Sequence, residues 1–377
     1  MWIDVEDETG LAVRHYTKRE ALAITQMNRN EINKDAGPNP LINPPEFHEQ
    51  LLDYGERPYW SPDGKRIAFV MSNYGDIGEI DLATRKVRNL TKDLGEHHSF
   101  LRVLFLPNGD YLLIGPKEFK NRDISRHGDS ELWIMDKDAK YPPKPLGCKI
   151  YEGCAVSAIA NRISYSISSR THPELGGTDI WEVHVTEIEY DENGPSLGAD
   201  KVIYRANGGY RPEPQDFRFQ DTEVIMAEYL HYFKSHPDEW KCTVKGVHVD
   251  TLEVRTYIDE PTTHNECEGI FPGGEYICLE SSCDHANFFP PIDLWKLKLD
   301  GSGERVRMTR MIDTPPWRSS NSNVSPDGKW LAFMLNTYDS EPGFGMGLGL
   351  MNLEEWEKSS AAQDWKTPVS MQKKSSL

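Results

Sequence analysis

Histidine, arginine and tyrosine gather in a few short segments of this 377-residue chain: His97-His98, Arg122 to His127, Arg170 to His172, Arg211, Tyr229 to Tyr232, His264 to Glu268, His285 and Arg318. No G-x-S-x-G, H-E-x-x-H, H-x-H or C-x-x-C spacing accompanies them, so neither a serine nucleophile nor a preformed zinc motif is spelled out. Such a set suits removal of a proton next to a carboxylate. An arginine or bound cation neutralises the carboxylate and acidifies the neighbouring C–H, a histidine or tyrosine takes the proton, and another protonates the leaving oxygen. On a uronic acid this is β-elimination. Hydrolysis by the common glycosidase route needs two facing carboxylates instead, and Asp129, Asp216, Glu228, Glu266 and Glu268 keep that alternative open.

Residues this far apart need a fold that returns the chain repeatedly to one place, and the sequence repeats. Tyr59 to Phe69 carries Ser61-Pro62-Asp63-Gly64-Lys65 between two apolar runs, and Asn323 to Phe333 carries Ser325-Pro326-Asp327-Gly328-Lys329 in the same setting. Proline sets φ at the first corner of such a turn and glycine accepts the positive φ of the last, so each copy reads as a β-hairpin. Weaker copies turn at Asn108, Asn161, Asp221 and Gly273, giving spacings of 45, 53, 60, 52 and 54 residues. That period matches one four-stranded propeller blade per repeat. Third strands read at Ile77 to Leu82, Leu132 to Asp136, Ile180 to Val183, Val247 to Asp250, Leu294 to Leu297 and Leu348 to Leu353.

The expected fold is all-β, a single propeller domain over 1–377 built of four-stranded antiparallel blades. Six blades are legible over 57–360. Residues 1–56, with strand-like Trp2 to Gly10 and Leu11 to Thr17, read as closure and most of a further blade, so seven blades are expected and six are the alternative. Asn28 to Pro45 is long for a connection and reads as a lid over the channel face. The segment 361–377 reads as a tail.

In a propeller, the loops entering inner strands and those between second and third strands open on one face around the channel. Eight of the twelve histidines fall in such segments: His97, His98, His127, His172, His231, His236, His264 and His285. Loops are polar in any protein, so one such residue says little. Several blades contributing to one axis is how a convergent polar pocket is built. His97, His98, His172, Tyr229 and His231 are the candidates for proton transfer. Arg170, Arg211, Arg318, His264 and Glu268 are the candidates for substrate binding. A divalent metal such as Mn²⁺, Zn²⁺ or Ca²⁺ would need ligands from different blades, with His127, His264 and His285 as candidates.

A net charge of −18 argues against nucleic acid as partner and requires any anionic ligand to be held by a local basic site. No apolar run approaches the ~20 residues of a membrane helix. Met1-Trp2-Ile3-Asp4 does not read as a signal peptide, which makes a cytoplasmic protein the expectation, or a secreted one had a leader been removed. The six cysteines read as mostly buried thiols rather than disulfides.

The Ser-Pro-Asp-Gly-Lys hairpins resemble the repeat of TolB-type propellers, a likeness that covers most of the chain and implies fold rather than activity. A narrower resemblance, resting on Trp2-Ile3-Asp4 with Thr9-Gly10, the Ser-Pro-Asp-Gly blades and the loop histidines, is to oligogalacturonate lyases. It implies an enzyme acting on short uronate oligosaccharides, with a His-rich and often metal-bearing channel face. The family pattern places a histidine shortly before the last Ser-Pro-Asp-Gly. Arg318 to Asn323 stands there instead, which casts doubt on a family-type metal site and offers Arg318 as a substitute charge. The expected function is a carbon–oxygen lyase on an anionic oligosaccharide. The alternatives are a non-catalytic TolB-like propeller that binds a protein or peptide, and a glycoside hydrolase on the same face.

Overall fold

A computed structural model of the chain describes residues 4–6 and 12–14 as backbone, and 38–230, 240–285, 291–337, 340 and 344–367 in full. Among these residues the chain forms six four-stranded antiparallel blades. Blade 1 runs through Glu56–Trp60, Arg66–Val70, Ile77–Asp81 and Val87–Asn89, and blade 2 through Arg102–Phe105, Tyr111–Pro116, Ser130–Met135 and Lys144–Lys149. Blade 3 comprises Cys154–Val156, Arg162–Ser168, Trp181–Asp191 and Lys201–Ala206, and the far end of its long third strand also pairs with Gly194–Leu197. Blade 4 comprises Tyr210–Arg218, Glu223–Leu230, Lys241–His248 and Val254–Ile258, and blade 5 Asn265–Ile270, Tyr276–Ser281, Asp293–Lys298 and Arg305–Arg307. Blade 6 takes Trp317–Val324, Trp330–Thr337 and Leu348–Asn352 from the end of the chain and its outer strand, His48–Leu52, from near the beginning.

The six legible repeats are therefore the whole ring, and the alternative count of six holds over seven. The N-terminal region supplies one strand rather than a blade. The reason lies at the seam: Trp60 on the inner strand of blade 1 donates its backbone N–H to Asn323 Oδ1 at 2.8 Å and its indole N–H to Asn323 O at 3.0 Å on blade 6. Leu51, Trp60, Ile67, Phe69, Leu348 and Leu350 bury together across the same seam. The first and last blades thus touch directly, and the shared outer strand removes a free edge. Asp4–Glu6 pairs with Ala12–Arg14 in a separate two-stranded ribbon, not in a blade.

The turns form as their residues dictate. Ser61 Oγ donates to Asp63 Oδ1 at 2.6 Å and Gly64 takes φ +67°; Ser325 and Asp327 repeat the bond at 2.6 Å and Gly328 takes φ +73°. Two third strands differ from the sequence expectation; that of blade 3 runs on past Val183 to Asp191, where it pairs with Gly194–Leu197. The third strand of blade 4 begins at Lys241, six residues before Val247, because Cys242, Val244 and Val247 all bury against neighbouring strands. Of the expected lid, 28–37 lies outside the described residues; just beyond, Leu41 is buried in the cluster of Trp317, Phe344, Met346 and Trp356. After blade 6 come a short helix, Leu353–Glu357, and a 3₁₀ turn, Ser360–Gln363. Lys366 then exchanges backbone hydrogen bonds with Arg305 on the outer edge of blade 5, and 368–377 lies outside the described residues. The six cysteines are all free thiols, four of them buried. No helix among the described residues is long and apolar enough to cross a membrane.

Candidate functional site

Inner strands of five blades present charged or amide side chains to the axis: Arg57 from blade 1, Arg102 from blade 2, Gln215 from blade 4, Glu268 from blade 5 and Asn321 from blade 6. The ion pairs cross the channel rather than following the ring. Arg57 pairs with Glu152, which precedes the inner strand of blade 3. Arg102 reaches Glu268 at 3.2 Å and Glu213 at 4.0 Å, joining blade 2 to blades 5 and 4. A short helix, Arg122–His127, lies between the second and third strands of blade 2, capped by Asn121 Oδ1 accepting from the Ile124 N–H at 2.9 Å. It brings Arg126 onto Glu152 as well. Glycine is required at 153, because a Cβ there would collide with the Glu213 side chain.

Beside this network, at the ends of inner and second strands that face the mouth, His264, Glu266 and Glu280 converge. One ligand atom from each lies within 4.8 Å of the other two. The His264 imidazole is 3.2 Å from Glu266 and 3.9 Å from Glu280. Tyr229 hydrogen-bonds Glu266. Glu280 accepts the backbone N–H of Asn321, whose side-chain amide donates to Glu268 at 3.0 Å.

The electrostatics follow from crowding carboxylates in a sealed channel. Burial, reinforced by Glu266, pushes the Glu213 carboxyl up to about 7. Burial also raises Glu268 to about 7, with Arg102 opposing and Glu280 adding. Glu280 is raised by burial, whereas burial of Glu266 is outweighed by His264, which holds its carboxyl low. Burial alone would lower His264, but hydrogen bonds and charge from Glu266 and Glu280 raise it overall. The site thus holds two carboxyls, Glu213 and Glu268, raised toward neutral pH beside the hydrogen-bonded His264, Glu266 and Glu280 cluster.

One imidazole and two carboxylates are a donor set that fits a divalent cation such as Mn²⁺ or Zn²⁺ better than the all-oxygen cage calcium favours. Three protein ligands leave further positions for water or substrate. Of the metal candidates read from sequence, His264 is in this cluster. His127 bonds Asp123 at 3.0 Å and stacks on Tyr151, and burial lowers it to about 4. His285 is exposed in a 3₁₀ turn.

The remaining sequence candidates take these places. Tyr229 is buried at the cluster; His231 lies outside the described residues. His97 sits on Phe100 and Trp133 with its ring nitrogen 2.8 Å from Pro116 O, and His98 bonds Asp76 at 2.6 Å, both within the first two blades. His172 is held by Glu174 at 2.9 Å and Lys149 O at 2.7 Å. Arg170 is exposed and grips Asp123, the carboxylate that also holds His127. Arg211 lies over Trp181 at 5.8 Å. Arg318 is buried against Asn336 at 3.1 Å, and Glu268 is engaged by Arg102 and Asn321. Of the carboxylates weighed for hydrolysis, Glu228 is tied to Tyr204 and Lys245, and Asp129 to Lys120 and Lys149.

Arg102, Glu152, Glu213 and Glu280 were not among the residues singled out from sequence. Two signals pointed to some of them. Arg102 is the one charge in Phe100 to Leu106, and Glu280 stands alone after Ile277-Cys278-Leu279. Counting six back from the turn corners Asp63, Asn108, Asp221 and Asp327 lands on Arg57, Arg102, Gln215 and Asn321, all of which line the channel.

No protein-family model matches this chain, and no curated protein matches it in sequence. Among solved structures it resembles a gluconolactonase from Xanthomonas campestris, at 12% identity and TM-score 0.52 over 81% of this chain and 88% of the other. It also resembles an oligogalacturonate lyase in complex with manganese, at 13% identity and TM-score 0.46 over 84% and 78%. TolB from Acinetobacter baumannii aligns at 13% identity and TM-score 0.44 over 73% of this chain and 61% of TolB. The chain spans 25% of the length of the tricorn protease, which it also resembles. At these identities the likeness is one of fold: among its described residues the protein is a six-bladed β-propeller.

Proposed function

We propose that the channel mouth carries out β-elimination on a uronate-containing oligosaccharide with the help of a divalent cation. The observation that carries this reading is the His264, Glu266 and Glu280 cluster, set beside Glu213 with its carboxyl poised at about 7. In a chain of net charge −18, an anionic sugar needs a local positive charge to approach. His264, Glu266 and Glu280 would hold the cation, which when bound supplies that charge and acidifies the C–H beside the sugar carboxylate.

Glu213 is the base: a carboxylate raised toward neutrality accepts a proton more readily than an ordinary one. Tyr229, raised well above its ordinary value by burial, stays protonated and donates its O–H to Glu266; it is the group that would turn that O–H to the leaving oxygen as negative charge develops there. Arg211, beside Trp181 at the mouth, meets the sugar's charged groups. The channel below the cluster narrows to a cavity of about 30 Å³, so the sugar sits over the mouth and does not thread the ring.

The test offers the protein a panel of uronate oligosaccharides and follows the ultraviolet absorbance of the unsaturated uronate that elimination creates. A rise that needs Mn²⁺, disappears with chelator and is lost in Glu213→Gln supports the reading. New reducing ends without that absorbance would mean hydrolysis. Ligand binding with no turnover would mean a binding propeller.

A further inference from the structure

Below the mouth the channel closes to the cavity of about 30 Å³ bounded by Arg57, Arg102, Gln215, Asp216, Glu268 and Asn321. That volume is on the order of one or two waters, enough for a halide and too small for sulfate or a sugar. Its walls carry an excess of unused donors. Nε and Nη1 of Arg57, Nε of Arg102 and Nε2 of Gln215 are sealed from solvent and have no hydrogen-bond partner among the described residues. All three residues are buried, at 4%, 8% and 8% exposure.

The nearby carboxylates do not meet these donors. Asp216 turns one oxygen to the Ile270 N–H at 2.8 Å and the other to the Phe217 N–H at 2.9 Å. Glu268 Oε1 already accepts from Arg102 Nη2 and from Asn321. A buried donor left unmet costs stability, and four around one small space favour an occupant that only accepts. A water accepts two hydrogen bonds and must place two protons of its own. A halide accepts from every side.

We propose that the inner channel binds one small monovalent anion of halide size between Arg57, Arg102 and Gln215. The site is separate from the cation cluster at the mouth and does not depend on the sugar reading. The anion acts as an axle: it ties inner strands of blades 1, 2 and 4 across the ring, so its binding stabilises the fold.

Two measurements on the full chain test this. Crystals soaked in bromide are expected to give an anomalous peak between Arg57, Arg102 and Gln215. In solution, the unfolding midpoint is expected to rise with chloride or bromide but not with gluconate at equal ionic strength, as mass action on the folded state requires. Gln215→Leu removes one donor without changing net charge and should lose most of that halide-specific rise while still folding. Arg85→Gln, on the exposed Arg85–Glu49 pair, should keep it in full. A midpoint blind to halide, a Gln215→Leu response equal to wild type, or a peak at crystal concentration with no effect in solution would each overturn the proposal.

Discussion

Asp216 gives the sharpest single test of the electrostatic reasoning. Its carboxyl is buried in the channel wall, where it joins the inner strand of blade 4 to that of blade 5 through the Ile270 N–H. Burial raises it from 3.8 to about 7 despite the two backbone N–H groups that favour the charged form. Below pH 3.8 the group is protonated both folded and unfolded and has no effect. Between 3.8 and 7 the unfolded chain ionises while the folded one keeps its proton, so stability falls as pH rises. Above 7 both are ionised and the loss levels off. A shift of about 3 pH units corresponds to about 4 kcal/mol. Asp216→Asn cannot ionise. At pH 4 it should cost no more than about one hydrogen bond, ~1 kcal/mol, and by pH 8 it should be more stable than wild type by roughly 3 kcal/mol. Urea unfolding at half-unit steps from pH 4 to 8.5 measures both curves, with a constant slope against urea confirming that the same transition is followed. Parallel curves for the two proteins would refute the claim that a carboxyl here is held protonated by the channel.

Three further perturbations probe the closure and the site. Leu51→Ala thins the outer strand that the N-terminal region lends to blade 6 and should cost about 2–3 kcal/mol, read as a lower urea midpoint. Gly153→Ala drives a methyl group into Glu213 and should cost about 2 kcal/mol or more, with lost elimination activity if Glu213 is the base; unchanged stability would mean that Glu213 is free to move. Glu280→Gln removes one of three cation ligands, so calorimetric Mn²⁺ affinity should fall about tenfold or more, while Glu174→Gln, on the exposed His172 pair, should leave it unchanged.

The ring was legible in the chain because a propeller is written locally. Each Pro-Asp-Gly or Asn-Gly corner needs only its own residues to turn, and each flanking apolar run needs only alternation to become a strand. Those signals located every inner hairpin and the period of the repeat. They could not set the blade count, which depends on whether Trp60 meets Asn323 directly or through another blade. They also left the start of blade 4's third strand unmarked, since burial of Cys242 is decided by neighbouring strands.

The site divides in the same way. His264, Glu266 and Glu268 attracted notice because acids and a histidine cluster within five residues, and Tyr229 because it flanks a histidine-bearing loop. Glu280, Glu213 and Arg102 lie on strands that read simply as core, and Glu152 lies on the short connection before the inner strand of blade 3. Only closure of the ring brings blade 2 opposite blade 5, so that Arg102 meets Glu268, and only the resulting burial moves the Glu213 carboxyl to where it can exchange a proton at neutral pH. Sequence by itself determined the repeating hairpin and the chemistry available on it. The tertiary structure decided which charges share the axis, because partner choice and desolvation are properties of the closed ring.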